Sequence, residues 1–214
     1  MDKIEERNII VTGFGPFHNH TINASWQAVK ALAKTSSEEL KKCFKINLII
    51  EEIPVIYDHV TDRIPQLWKE YNPLFVIHVG VSNVACCLTI EKKAHNSGYV
   101  REDVCQKYPK INDSEQCRAL ETEIDVENLC NILNESRICS SLVSHNAGRY
   151  LCEYTYYQSL CIGRNRTLFV HVPENKICSI DVTARGLYLI ICQLIKSLSK
   201  NCLENMKLEV EKSE

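Results

Sequence analysis

The sequence predicts an α/β protein, a three-layer α/β/α sandwich around a mixed, mostly parallel sheet. Short apolar runs alternate with longer amphipathic stretches along most of the chain, the pattern of strands separated by helices. The run over residues 74–79 is apolar at successive positions rather than alternate ones, which marks a strand covered on both faces. No repeat, low-complexity tract or linker-like segment divides the 214 residues, so one domain is expected.

The elements follow in order. Residues 8–13 (Asn8-Ile9-Ile10-Val11-Thr12-Gly13) read as a strand ending at glycine. Residues 23–33 read as a helix, with Trp26, Val29 and Ala33 at helical spacing. The Ile-rich stretch 44–53 is strand-like and Pro54 stops it. Residues 55–71 carry a helix that Pro65 should kink or divide. A buried strand over 74–79 and a short one over 86–90 come next. Residues 95–122 are polar and irregular, the longest loop, and loops of that length are usually functional or mobile. A helix over 124–137, a strand over 138–143 and a helix over 148–162 follow. Tyr150, Tyr154 and Tyr157 recur in that last helix at intervals of four and three. Thr167–Val172 reads as a buried strand ended by Pro173, and 180–198 as a strong terminal helix. Residues 1–200 are expected to form the domain and the charged residues 201–214 a frayed tail.

Composition excludes several classes. Hydrophobic residues make up 45% and charged residues 24%, which argues against disorder. A net charge of −2, without clustered basic residues, gives no nucleic-acid footprint. No apolar run is long enough for a membrane helix. The charged start, Met1 to Arg7, lacks the apolar stretch of an export signal. A cytosolic chain with reduced thiols is the expectation, and the five Asn-x-Ser/Thr triplets at Asn19, Asn23, Asn112, Asn134 and Asn165 are then chance. The 12 cysteines include no Cys-x-x-Cys pair and no His-paired cluster, so zinc is not expected. Either most are buried small hydrophobes, or one of them does chemistry.

Four segments carry candidate chemistry. Gly13-Phe14-Gly15-Pro16-Phe17 follows the first strand. It is a poor dinucleotide turn, because the third glycine of the pattern falls at His18 and Pro16 removes a donor. Phe14 and Phe17 can instead wall a small flat pocket at a strand's carboxyl end, or be core aromatics beside a turn. In Ser144-His145-Asn146-Ala147-Gly148-Arg149-Tyr150-Leu151-Cys152-Glu153 a turn leads into a helix, which Ser144 or Asn146 can cap. Cys152 then lies in the first turns, where the helix dipole favours thiolate. The plain alternative is a buried structural cysteine. His171 ends a buried strand and can move a proton between thiol and leaving amine. His78 sits in a similar context, and spacing does not separate the two. Glu91 ends the strand over 86–90 and can orient an imidazole, or simply pair with Lys92 or Lys93.

Together these segments resemble the pyroglutamyl-peptidase family, and the animal-type members most closely. The resemblance rests on Val11-Thr12-Gly13-Phe14-Gly15-Pro16-Phe17 with Asn23-Ala24-Ser25-Trp26, and on His78-Val79-Gly80-Val81. It continues through Glu91-Lys92-Lys93-Ala94-His95-Asn96, Ala147-Gly148-Arg149-Tyr150-Leu151-Cys152 and Phe169-Val170-His171-Val172-Pro173. It implies an α/β/α sandwich and a cofactor-free cysteine peptidase that removes N-terminal pyroglutamate from peptides. Carried over, Cys152 is the nucleophile, His171 the general base and acid, and Glu91 its orienting carboxylate. Phe14 and Phe17 grip the lactam, and a monomer is implied. Three departures stand out: Val81 where bacterial members carry Gln, His145-Asn146 in place of a more usual acidic residue, and a shorter segment after Pro173. The alternatives are an inactive paralogue that binds pyroglutamyl peptides and a related thiol amidase.

Overall fold

The computed structural model describes residues 6–17, 21–110 and 118–211, and side chains of the last helix up to residue 198. Eight strands and five α-helices appear among them. Strand β1 (Arg7–Phe14) leads to α1 (Ala24–Phe44), β2 (Ile46–Ile53), α2 (Tyr57–Tyr71) and β3 (Phe75–Val81). Then come β4 (Leu88–Glu91), β5 (Lys93–His95), β6 (Ala119–Glu121), α3 (Val126–Ser136) and β7 (Ser141–Ser144). The chain ends with α4 (Leu151–Leu160), β8 (Thr167–Val172) and α5 (Ile180–Glu211).

Six strands form one sheet in the order β2-β1-β3-β8-β4-β7. The first four run parallel, and β4 and β7 run opposite to them. Side chains alternate between two apolar cores, as the period of two requires. Ile9, Val11, Ile77, Val79, Leu168 and Val170 pack with α1, α3 and α5 on one face. Ile10, Val76 and Phe169 pack with α2 and α4 on the other. This is the expected sandwich.

Differences from expectation have local causes. Helix α1 does not stop near Ala33 but runs to Phe44. Leu40 is buried, and Lys45 closes the helix in the left-handed conformation, its N–H donating to the Leu40 and Lys41 carbonyls. Pro65 does not divide α2, because it sits on the exposed side where solvent can serve the freed carbonyl. The expected loop over 95–122 contains β6, which pairs antiparallel with β5 at the loop's start, while 111–117 lie outside the described residues. Helix α5 continues past Asn201 to Glu211, where fraying was predicted. Leu203, Glu204, Met206, Lys207 and Leu208 are strong helix formers, and no Gly or Pro interrupts them.

Candidate active site

Sheet register assembles the site. His171 lies on the α2/α4 face of β8, opposite Thr89 of antiparallel β4 and beside Gly80 of parallel β3. Glu91 pairs with Phe169, two residues before His171, so Glu91 and His171 are diagonal neighbours on one face. The Glu91 carboxylate lies 2.8 Å from His171 Nδ1. Its other oxygen has no hydrogen-bond partner among the described residues. Lys92 pairs instead with Glu127.

Cys152 reaches the same place from the opposite layer. It is the second residue of α4, after the extended N-cap Tyr150. Its sulfur sits over Gly80: a Cβ there would lie 2.7 Å from Sγ and 2.8 Å from the Phe169 ring. Only glycine at this point of β3 lets the thiol settle above the sheet beside His171. Tyr156, one turn on, donates to the Glu91 carbonyl at 2.9 Å and fixes α4 over β4. The Cys152 and His171 side chains interact. Burial of His171 opposes its protonation, but contacts with the Cys152 sulfur and the Glu91 carboxylate outweigh it. The imidazole is raised from 6.5 to about 9. It therefore carries its proton at neutral pH.

His78 is the contrast. It is fully buried between Thr12 Oγ1 and Ser159 Oγ, each at 2.7 Å. Burial depresses it to about 3, so it stays neutral and structural.

The turn before Cys152 differs from expectation. Neither Ser144 nor Asn146 caps α4, whose N-cap has no side-chain hydrogen bond. Ser144 Oγ accepts instead from Asn146 N–H, and Asn146 Oδ1 from Gly148 N–H. Gly148 and Arg149 adopt positive φ angles of 97° and 53°. The left-handed Arg149 is a strained non-glycine residue, and Glu153 holds it. That fully buried carboxylate accepts from Arg149 N–H at 2.6 Å, from the Arg149 guanidinium at 2.7 Å, and from the His95 ring and N–H at 2.8 and 3.0 Å. Sequence reasoning missed Glu153, although a Glu three residues after a helix cap is a recognised signal for a carboxylate reaching back to the turn.

A cavity of about 550 Å³ opens at the carboxyl ends of β1, β3 and β8, where α/β sheets bind ligands. Glu91, Cys152 and His171 line it together with Phe14 and Phe17. Phe14 is buried; its N–H donates to Ser25 Oγ, while Asn23 Nδ2 donates to the Gly15 carbonyl. The glycine-rich turn is thus tied to the start of α1. All five predicted site residues meet in one cavity. No group of three or more His, Cys, Asp or Glu side chains suited to a metal occurs among the described residues. Among the described residues no helix is long and apolar enough to cross a membrane.

Comparison with known proteins gives a consistent picture. The family described as pyroglutamyl peptidase matches residues 7–192. Pyroglutamyl-peptidase 1 of Mus musculus is 40% identical over 200 residues, covering 90% of this chain and 91% of that protein. The Homo sapiens protein of the same name is 38% identical over 201 residues, covering 90% and 92%. Among solved structures, the pyrrolidone carboxyl peptidase from Thermococcus litoralis superposes with a TM-score of 0.78 at 18% identity, covering 91% of this chain and 96% of that one.

Proposed function

Because the chain belongs to the pyroglutamyl peptidase family, we propose a route by which it removes an N-terminal pyroglutamyl residue from peptides as a cysteine-type peptidase. The observation that carries the route is the Glu91–His171–Cys152 chain of contacts inside the cavity.

Cys152 thiolate attacks the carbonyl carbon that joins pyroglutamate to the next residue. The carbonyl oxygen takes up the negative charge near the start of α4, whose first N–H groups have no intrahelical partners. The intermediate collapses, the C–N bond breaks, and His171 gives its proton to the departing amine. The pyroglutamyl group stays on Cys152 as a thioester. Neutral His171 then takes a proton from water, whose oxygen attacks the thioester, and pyroglutamate leaves as the thiolate returns. Glu91 keeps the ring oriented and supports the imidazolium in both steps.

Phe14 and Phe17 are the proposed walls for the lactam ring. That ring is uncharged, whereas a free N-terminal ammonium would lose its hydration against them. We extend the proposal to a cytosolic location and, on the resemblance to animal-type members, to a monomer; size-exclusion chromatography with light scattering tests the monomer. The functional test uses a fluorogenic pyroglutamyl amide beside free-amine and acetylated controls, with wild type and Cys152→Ala. Cleavage of the pyroglutamyl amide alone, abolished in the variant, is expected. Absence of turnover by folded protein, or full activity in Cys152→Ala, would refute it.

A further inference from the structure

We propose that Arg101 forms a carboxylate-binding subsite for the part of the substrate that leaves; this rests on the cavity being the pyroglutamyl-peptide site. Arg101 is the only Lys or Arg among the described residues lining that cavity. The pyroglutamyl ring carries no charge, so a fixed cation there has no complement in the ring. Its complement must lie in the residues that follow. Arg101 is exposed, whereas Phe14 is buried in the wall, which puts the cation at the rim where those residues extend.

The guanidinium is held in place. It stacks over the Tyr150 ring, 4.0 Å from its centroid, and Tyr150 is two residues from Cys152. A guanidinium lying over a ring presents its N–H edges to a planar, bidentate acceptor. The backbone beneath is pinned from both sides. Tyr57 O–H donates to the Arg101 carbonyl and Tyr150 O–H to the Glu102 carbonyl, each at 3.1 Å. Next in the chain, the buried Asp103 carboxylate accepts from the N–H groups of Tyr57, Cys105 and Lys107. Arg101 makes no ion pair among the described residues. A preorganised guanidinium lining the same cavity as Cys152 is suited to a carboxylate.

Two sources supply a carboxylate there: the C-terminus of a pyroglutamyl dipeptide, or an acidic side chain in a longer peptide. Steady-state kinetics on two matched pairs distinguish them. One pair is pyroglutamyl-alanine and its C-terminal amide. The other is pyroglutamyl-glutamate amide and pyroglutamyl-glutamine amide. Charge-assisted hydrogen bonds of this kind are worth about tenfold in affinity. Wild type should therefore prefer the acid of at least one pair about tenfold in kcat/KM, through KM rather than kcat. In R101A that preference should fall to near unity, and R101K should retain part of it. The pair that discriminates identifies the source. No preference in wild type for either acid would overturn the proposal, as would an equal loss on acid and amide in R101A. The wild-type comparison stands even if a variant folds poorly. Turnover of none of the four substrates would refute the peptidase reading itself, and the subsite with it.

Discussion

Replacing Glu91 by Gln keeps the shape of the residue and deletes its charge, which isolates what the carboxylate does for His171. The carboxylate lies 2.8 Å from Nδ1, with side-chain exposures of 10% for His171 and 2% for Glu91. Burial alone would push the imidazole below 6.5; contacts with Cys152 and Glu91 lift it to about 9. That elevation corresponds to about 3 kcal/mol in favour of the imidazolium. An opposite charge at this distance is typically worth about 1–3 pH units of it. In E91Q the alkaline limb of kcat/KM, which marks proton loss from His171, should move from near pH 9 toward neutrality by about 1–2 units. The rate at its optimum should fall about 10²- to 10³-fold, from loss of charge and of ring orientation together. The assay is a pH profile of kcat/KM on a fluorogenic pyroglutamyl amide. An alkaline limb that stays at the same pH in E91Q, with the variant folded, would refute the assignment of Glu91 as support for the imidazolium.

Further consequences can be measured. His171 is raised in the folded state, so its contribution to stability, about 3 kcal/mol, is complete below about pH 6.5 and is lost as pH rises through about 9. Tm should fall over that interval in wild type and change less in His171→Asn. Gly80→Ala places a Cβ against the Cys152 sulfur and the Phe169 ring; it should cost about 1–3 kcal/mol of stability and lower kcat, checked by denaturant melts and kinetics. Glu153→Ala leaves Arg149 and His95 without their buried partner. About 3–5 kcal/mol of stability should go with it, and kcat should fall as the turn before Cys152 relaxes. Burial raises Cys130 and Cys192 above the usual thiol range and pushes Cys87 and Cys139 up to about 11. A limiting alkylating agent should therefore spare these four, and modification of Cys152, read by peptide mapping, should track the loss of activity.

Much of the site was legible because its chemistry stands at the ends of apolar runs. Glu91 and His171 close strands, and Cys152 opens a helix, so a layered α/β reading already brings them near one edge of a sheet. What the sequence could not supply was register. Only the antiparallel pairing of β4 with β8 makes Glu91 and His171 diagonal neighbours, and no local signal tells β4 to run against its neighbour. The same gap left His78 and His171 alike. Three dimensions separate them, since His78 sits between two hydroxyls while His171 faces a carboxylate and a sulfur. Glycine at 80 was visible as a residue but not as a space for sulfur, which arises from α4 crossing β3. The caps assigned to Ser144 and Asn146 failed because the turn contains two left-handed residues, Gly148 and Arg149. These aim the turn away from α4 and leave Glu153 to hold it. Short β5 and β6, at the start and near the end of the polar loop, were hidden because three-residue strands carry too little periodicity to read.

The central claim is that Cys152 carries the pyroglutamyl group as a thioester. Rapid acid quench of wild type during turnover of a pyroglutamyl amide, followed by mass spectrometry of the digested protein, tests it most directly. The acyl adduct should appear on the peptide containing Cys152, build up before steady state, and be absent from Cys152→Ala. An adduct on a different cysteine, or turnover at the wild-type rate in Cys152→Ala, would contradict it.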